Sequence, residues 1–176
     1  MTNMLNQSTG QSRLTKTKGF ILASLIAGLG LAYPVMAGDQ VPYKGEEVGV
    51  VSKGAFQFPF AHSSTAAEGE ATHIGHYTLT GDFVVDVRFG TATGVFTLTA
   101  ANGDMLFLDM EGYAIPTDLT KTVANFTVTG GTGRFEGATG RFTADNQFAF
   151  AVNLPSPNPY AAEIEGTIST PGANKK

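Results

Sequence analysis

Val128–Thr143 reads "VTGGTGRFEGATGRFT". Five glycines fall in eleven residues: Gly130, Gly131, Gly133, Gly137 and Gly140. An apolar-alternating segment, "TVANFTV", precedes them. A strand followed by a glycine-rich turn opens many dinucleotide-binding domains, but that fingerprint also needs an amphipathic helix whose N-terminus holds the pyrophosphate. Here Gly140 interrupts any helix, and Phe148, Phe150 and Val152 alternate as in a strand. Only 39 residues follow Gly137, too few for the rest of a doubly wound sheet. The stretch is therefore read as a tight corner between strands, where glycine permits positive φ and sharp bending. No nucleotide or other cofactor is expected.

Alternation extends in both directions from the corner. Eight segments read as strands: Gly54–Phe60, Ala71–Thr80, Asp82–Phe89, Gly94–Ala101, Asp104–Gly112, Thr122–Thr129, Arg141–Leu154 and Ala162–Ser169. Asn102-Gly103 between two alternating runs is a hairpin signal, since both central residues of a two-residue turn need positive φ. Such a turn pairs Ala101 with Asp104. One face then carries Phe96, Leu98, Ala100, Met105, Phe107, Asp109 and Glu111, and its aromatics make it the expected interior. Short connections and about eight strands imply an all-β fold, an antiparallel closed barrel packed or lined by phenylalanines.

The N-terminus is set apart from this pattern. Residues 1–18 are basic, through Arg13, Lys16 and Lys18, and contain no acid. Phe20–Ala32 is apolar except for Ser24, and "VMA" ends at Ala37 with small residues at −3 and −1. This is the pattern of a secretory signal peptide, residues 1–37, and thirteen apolar residues fall short of a bilayer span of roughly 20. The expected organisation is a lead-in at 38–53, a barrel at 54–170 and a flexible tail at 171–176. From Gly38 onward 8 basic residues face 15 acidic ones, a net charge of −7. That balance disfavours nucleic acid and anionic membrane as partners. The chain has no cysteine, so an exported domain must rely on its core.

The corner also carries a resemblance. "VTGGTGRFEGATGRFT" resembles the Gly-Gly-Thr/Ser-Gly-x-Phe turn and following Gly-Ala-x-Gly of the allene oxide cyclase and dirigent group of calycin-like barrels. Gly69–Gly81 "GEATHIGHYTLTG", the "AANGD" hairpin at Ala100–Asp104 and the closing "EGTIS" at Glu165–Ser169 are similar to small exported bacterial members of that group. The resemblance spans Gly54–Ser169 and implies the barrel and a periplasmic or extracellular location. It does not transfer a reaction: plant cyclases of the group rearrange an unsaturated fatty-acid epoxide, dirigent members steer phenoxy-radical coupling, and some bacterial relatives are polyketide cyclases. The cysteine of the plant cyclase site has no counterpart here. A lipocalin is disfavoured, because its Gly-x-Trp cannot exist in a chain without tryptophan.

Candidate sites follow from the expected facing. Asp109 and Glu111 lining an apolar barrel would have raised pKa values and could act as general acid or base. Tyr77 shares a strand face with His73 and would stand beside them. Phe96, Leu98, Phe107, Phe126, Phe148, Phe150 and His73 are the expected ligand-lining residues. His73 and His76 lie three apart on a strand and so point to opposite faces, which argues against a metal. Two functions remain in view: an exported barrel that binds a small apolar molecule or serves a structural role, and a cofactor-free isomerase or cyclase acting on an unsaturated lipid or polyketide-like substrate.

Overall fold

The computed structural model describes residues 39–153 and 156–170. The segment read as a signal peptide and the tail at 171–176 lie outside them. The fold is a closed antiparallel barrel of eight strands in sequential order: β1 (Val41–Gln57), β2 (Phe60–Ala71), β3 (Gly75–Asp86), β4 (Thr91–Ala100), β5 (Met105–Ile115), β6 (Asp118–Gly131), β7 (Gly140–Phe148) and β8 (Asn158–Ile168). β1 pairs with both β2 and β8, which closes the sheet and leaves no free edge.

The count of eight agrees with the sequence reading, but three elements differ: β2 is absent from the expected strands, β3 is expected as two, and β1 starts earlier than expected. The lead-in expected at 38–53 is most of β1, so the barrel begins at Val41. The break at Gly81 expected between the segments Ala71–Thr80 and Asp82–Phe89 is the middle of β3. Gly81 stands opposite Phe96, and a Cβ there would run into the Phe96 ring. The glycine makes room for a neighbour's ring and does not mark a turn.

The β4–β5 hairpin differs by one residue. Gly103 N–H donates to the Ala100 carbonyl at 2.8 Å and Ala100 N–H to the Asp104 carbonyl at 2.9 Å, so the loop has three residues, with Gly103 at φ 88°. Asp104 is drawn into this arrangement by Asn102 and, from the far side, by the Arg134 backbone N–H at 3.2 Å. Leu98 therefore pairs with Leu106 and Phe96 with Leu108. A one-residue slip exchanges the two faces of a strand. Leu106, Leu108 and Met110 are buried inside, while Met105, Phe107, Asp109 and Glu111 are exposed outside.

Inside, rings form a connected series. Tyr43 meets Phe142 at 4.8 Å, Phe142 stacks on Phe126 at 5.0 Å, and Phe126 meets Phe96 edge-on at 5.2 Å. Such contacts add specificity to the apolar burial, about 1.5–3 kcal/mol for each fully buried large side chain. Outside, Glu46, Glu68, Glu70, Glu163 and Glu165 are exposed. An apolar interior and a charged outer wall are the inverse of a membrane-spanning barrel.

The glycine stretch joins β6 to β7 and seals one end. A 3-10 turn at Gly133–Phe135 sets Phe135 fully inside, beside buried Ile74, Ala138 and Ile168. Thr132 exchanges backbone and side-chain hydrogen bonds with Met105, and the Arg134 guanidinium donates to the Ile74 carbonyl at 2.9 Å. Gly133 has φ 57°, and a Cβ there would collide with the Asp104 carboxylate; one on Gly131 would collide with the Met105 carbonyl and Phe135. Gly131→Val and Gly133→Val should each cost ~3 kcal/mol or more in urea unfolding, through overpacking and strain. Nucleotides should give no thermal shift with the native chain, and a measured nucleotide affinity would overturn the corner reading.

Candidate functional site

In this up-and-down barrel the β1–β2, β3–β4, β5–β6 and β7–β8 connections all lie at the end opposite the sealed one. From that end a cavity of about 500 Å³ runs into the barrel. Its wall is mainly apolar, with Leu79, Phe83, Phe96, Met110, Phe126 and Phe148 among the lining residues. Glu47, Thr65 and Tyr160 also line it.

Glu47 is the focus of this polar group. It is 6% exposed. Its side chain points inward from β1, between Tyr43 and Val51 on the same face. The Tyr77 hydroxyl donates to Glu47 Oε2 at 3.0 Å and the Tyr160 hydroxyl to Oε1 at 3.1 Å. Thr65 Oγ1 lies 3.3 Å from the Tyr160 hydroxyl and donates to the Val50 carbonyl at 3.2 Å. Two glycines make the clamp sterically feasible. Gly69 lies between Glu47 and Tyr77 in the sheet, and a Cβ there would meet the Tyr77 hydroxyl at 2.6 Å. Gly49 pairs with Tyr160, and a Cβ there would meet that ring at 2.7 Å. Tyr43 is wholly buried, and its hydroxyl lies near Glu47 and Tyr77 without a well-formed hydrogen bond.

Burial pushes the Glu47 carboxyl above the ordinary carboxylate range, and the hydrogen bonds from Tyr77 and Tyr160 only partly oppose it. Burial, and then the Glu47 charge, raise the Tyr43, Tyr77 and Tyr160 hydroxyls, so all three stay protonated donors at neutral pH. The arrangement can hold a proton on Glu47, or accept hydrogen bonds from a polar group at the deep end of an otherwise apolar ligand.

The residues singled out from sequence divide. Tyr77 is at the polar centre. Phe96, Phe126 and Phe148 line the cavity, and Leu98 is buried in the core below it. Asp109 and Glu111 point to solvent, as does Phe107, because the hairpin register is shifted by one. Phe150 lies beyond β7, which ends at Phe148 where the Asn158 side chain bonds the Phe150 backbone N–H and carbonyl. His73 is exposed on a turn with φ 66°, so it shares no strand face with Tyr77.

Glu47 escaped the sequence reading for a physical reason. The inward positions of β1 read Tyr43, Gly45, Glu47, Gly49 and Val51, while valines at 48 and 50 face out. Apolar alternation thus points the wrong way. The usable signal was a tyrosine and two glycines in phase with one acid.

The solved structure of the pterocarpan synthase dirigent protein GePTS1 is similar, with a TM-score of 0.50 and 15% sequence identity, over 77% of this chain and 87% of that one. At that identity the likeness shows the fold, an eight-stranded barrel of the dirigent kind. No protein-family model and no curated protein matches the sequence.

The raised Glu47 pKa has a linkage consequence. The folded state binds this proton more tightly than the unfolded chain, so the Glu47 contribution to stability is fully present below the ordinary carboxylate range and is lost as pH rises through the folded pKa. The slope approaches about 1.4 kcal/mol per pH unit within that window. Glu47→Gln should remove this slope from urea-unfolding free energies measured between pH 4 and 8. A difference between the two proteins that is flat with pH would contradict the desolvated carboxyl.

Proposed function

We infer that the barrel binds a small, mostly apolar molecule carrying one polar group, with that group directed to Glu47. The observation that carries this reading is an apolar cavity of about 500 Å³ with a single buried carboxylate at its wall. That volume lies within the roughly 300–1,000 Å³ of small-molecule sites. The sequence features of residues 1–37 support export, to the periplasm or beyond in a bacterial host, after cleavage at Ala37.

A second reading rests on the raised Glu47 pKa beside an apolar cavity. It is that of a cofactor-free isomerase or cyclase, akin to allene oxide cyclase, that folds an unsaturated lipid or polyketide-like substrate against the ring-lined wall. Glu47 then performs the acid–base role expected from sequence of Asp109 and Glu111, with Tyr77 and Tyr160 orienting it. Recovery of rearranged material with native protein, but unchanged ligand with Glu47→Gln, would favour catalysis over binding.

Native mass spectrometry of the protein from its own host tests the main reading. The expected result is a polypeptide beginning at Gly38 with a retained lipid-like ligand, weakened when Phe126→Asp charges the cavity wall. No retained mass, together with no thermal shift from fatty acids or polyenes, would contradict it.

A further inference from the structure

The four connections at the open end share a feature that binding inside the barrel does not require. Each projects a large apolar side chain into solvent: Phe58 from β1–β2, Phe89 from β3–β4, Leu119 at the start of β6, and Phe150 from β7–β8. Phe89 at 73% and Phe58 at 70% are the two most exposed large apolar residues among those described. At the sealed end the comparable residues among those described are Met105 and Phe107, at the start of β5 and less exposed than the two rim phenylalanines. An apolar rim of this kind is costly in water and marks a contact surface.

Charge at the rim is arranged to match. Within 53–62, 85–92, 113–122 and 148–157, the Lys, Arg, Asp and Glu residues are Lys53, Asp86, Arg88, Asp118 and Lys121. Both aspartates are paired, Asp86 with Arg88 and Asp118 with Lys121. Arg88 also lies over the Phe89 ring at 5.1 Å and faces the Phe60 ring at 6.0 Å, so its charge rests on the aromatic surface it borders. The acidic excess of the chain lies elsewhere. Both acids of the rim are thus paired, and Phe56 and Val87, exposed at the same end, carry its apolar surface on to the cavity wall.

We propose that the rim docks on a zwitterionic lipid surface, so that an apolar ligand passes between lipid and cavity without crossing water. Aromatic side chains with cationic neighbours suit the headgroup boundary, and binding there scales with the apolar area buried. The purpose of docking rests on the ligand-binding reading, but docking itself does not.

The chain has no tryptophan, so Phe58→Trp and Phe89→Trp each install a single reporter, with Val95→Trp on the exposed outer wall as control. With phosphatidylcholine vesicles, the two rim tryptophans should shift to the blue and be quenched by brominated phosphatidylcholine, while the outer-wall tryptophan is not. Phe58→Ser combined with Phe89→Ser should lower vesicle partition about tenfold, with an unchanged thermal melt. Unquenched rim tryptophans, or equal quenching of all three, would overturn the proposal. So would a lipid-independent shift accompanied by a pair of chains in sedimentation, which would assign the rim to a second copy. Because no ligand is added, a failure here leaves the binding reading intact, and an absent ligand leaves docking intact.

Discussion

The pairing of β1 with β8 is the constraint on which the rest depends. Eleven residue pairs, from Val41↔Ile168 to Val51↔Asn158, turn an open sheet into a closed wall. Closure gives every strand a dry face, and it carries Glu47 into that dry interior. Once there, the carboxyl needs partners, and strands on either side supply them: Tyr77 reaches across Gly69, and Tyr160 sits opposite Gly49. Without closure Glu47 would be an ordinary surface acid, like its neighbour Glu46.

Closure also gives the barrel a direction. The glycine corner, with Phe135 and the Arg134–Asp104 contacts, makes one end solid. The opposite end keeps a cavity, and Val87, Gly90 and Val152 from its connections are among the residues that line it. The polar cluster then sits on the wall of a one-mouthed vessel. A ligand entering apolar end last would place its polar group against Glu47, the tyrosines and Thr65, and its hydrocarbon against the phenylalanines.

Much of this architecture was legible in the sequence. Alternation and short connections defined an all-β barrel, and the missing helix after Gly137 turned a nucleotide-like motif into a corner. The departure that matters most for the site comes from the period of two in a strand, which makes facing sensitive to a single residue. Gly103 could serve a two- or a three-residue loop, and Asp104 tipped the balance through a long-range contact with Arg134 that local patterning does not contain. That one residue moved Asp109 and Glu111 outside. β1 was hidden because its inward face is built from glycines and an acid, the composition of a site and not of a core. His73 left its expected strand because it adopts positive φ in the β2–β3 turn.

Closure buries one carboxylate among the described residues, Glu47, and makes it the polar centre of the cavity. Carboxyl-carbon NMR across pH reads it directly, with Glu165 as an internal reference, since Lys44 at 2.7 Å holds that exposed carboxyl below its usual range. The expected Glu47 midpoint lies above the ordinary glutamate value and apart from that of Glu165. A Glu47 carboxyl that titrates together with Glu165 would contradict it.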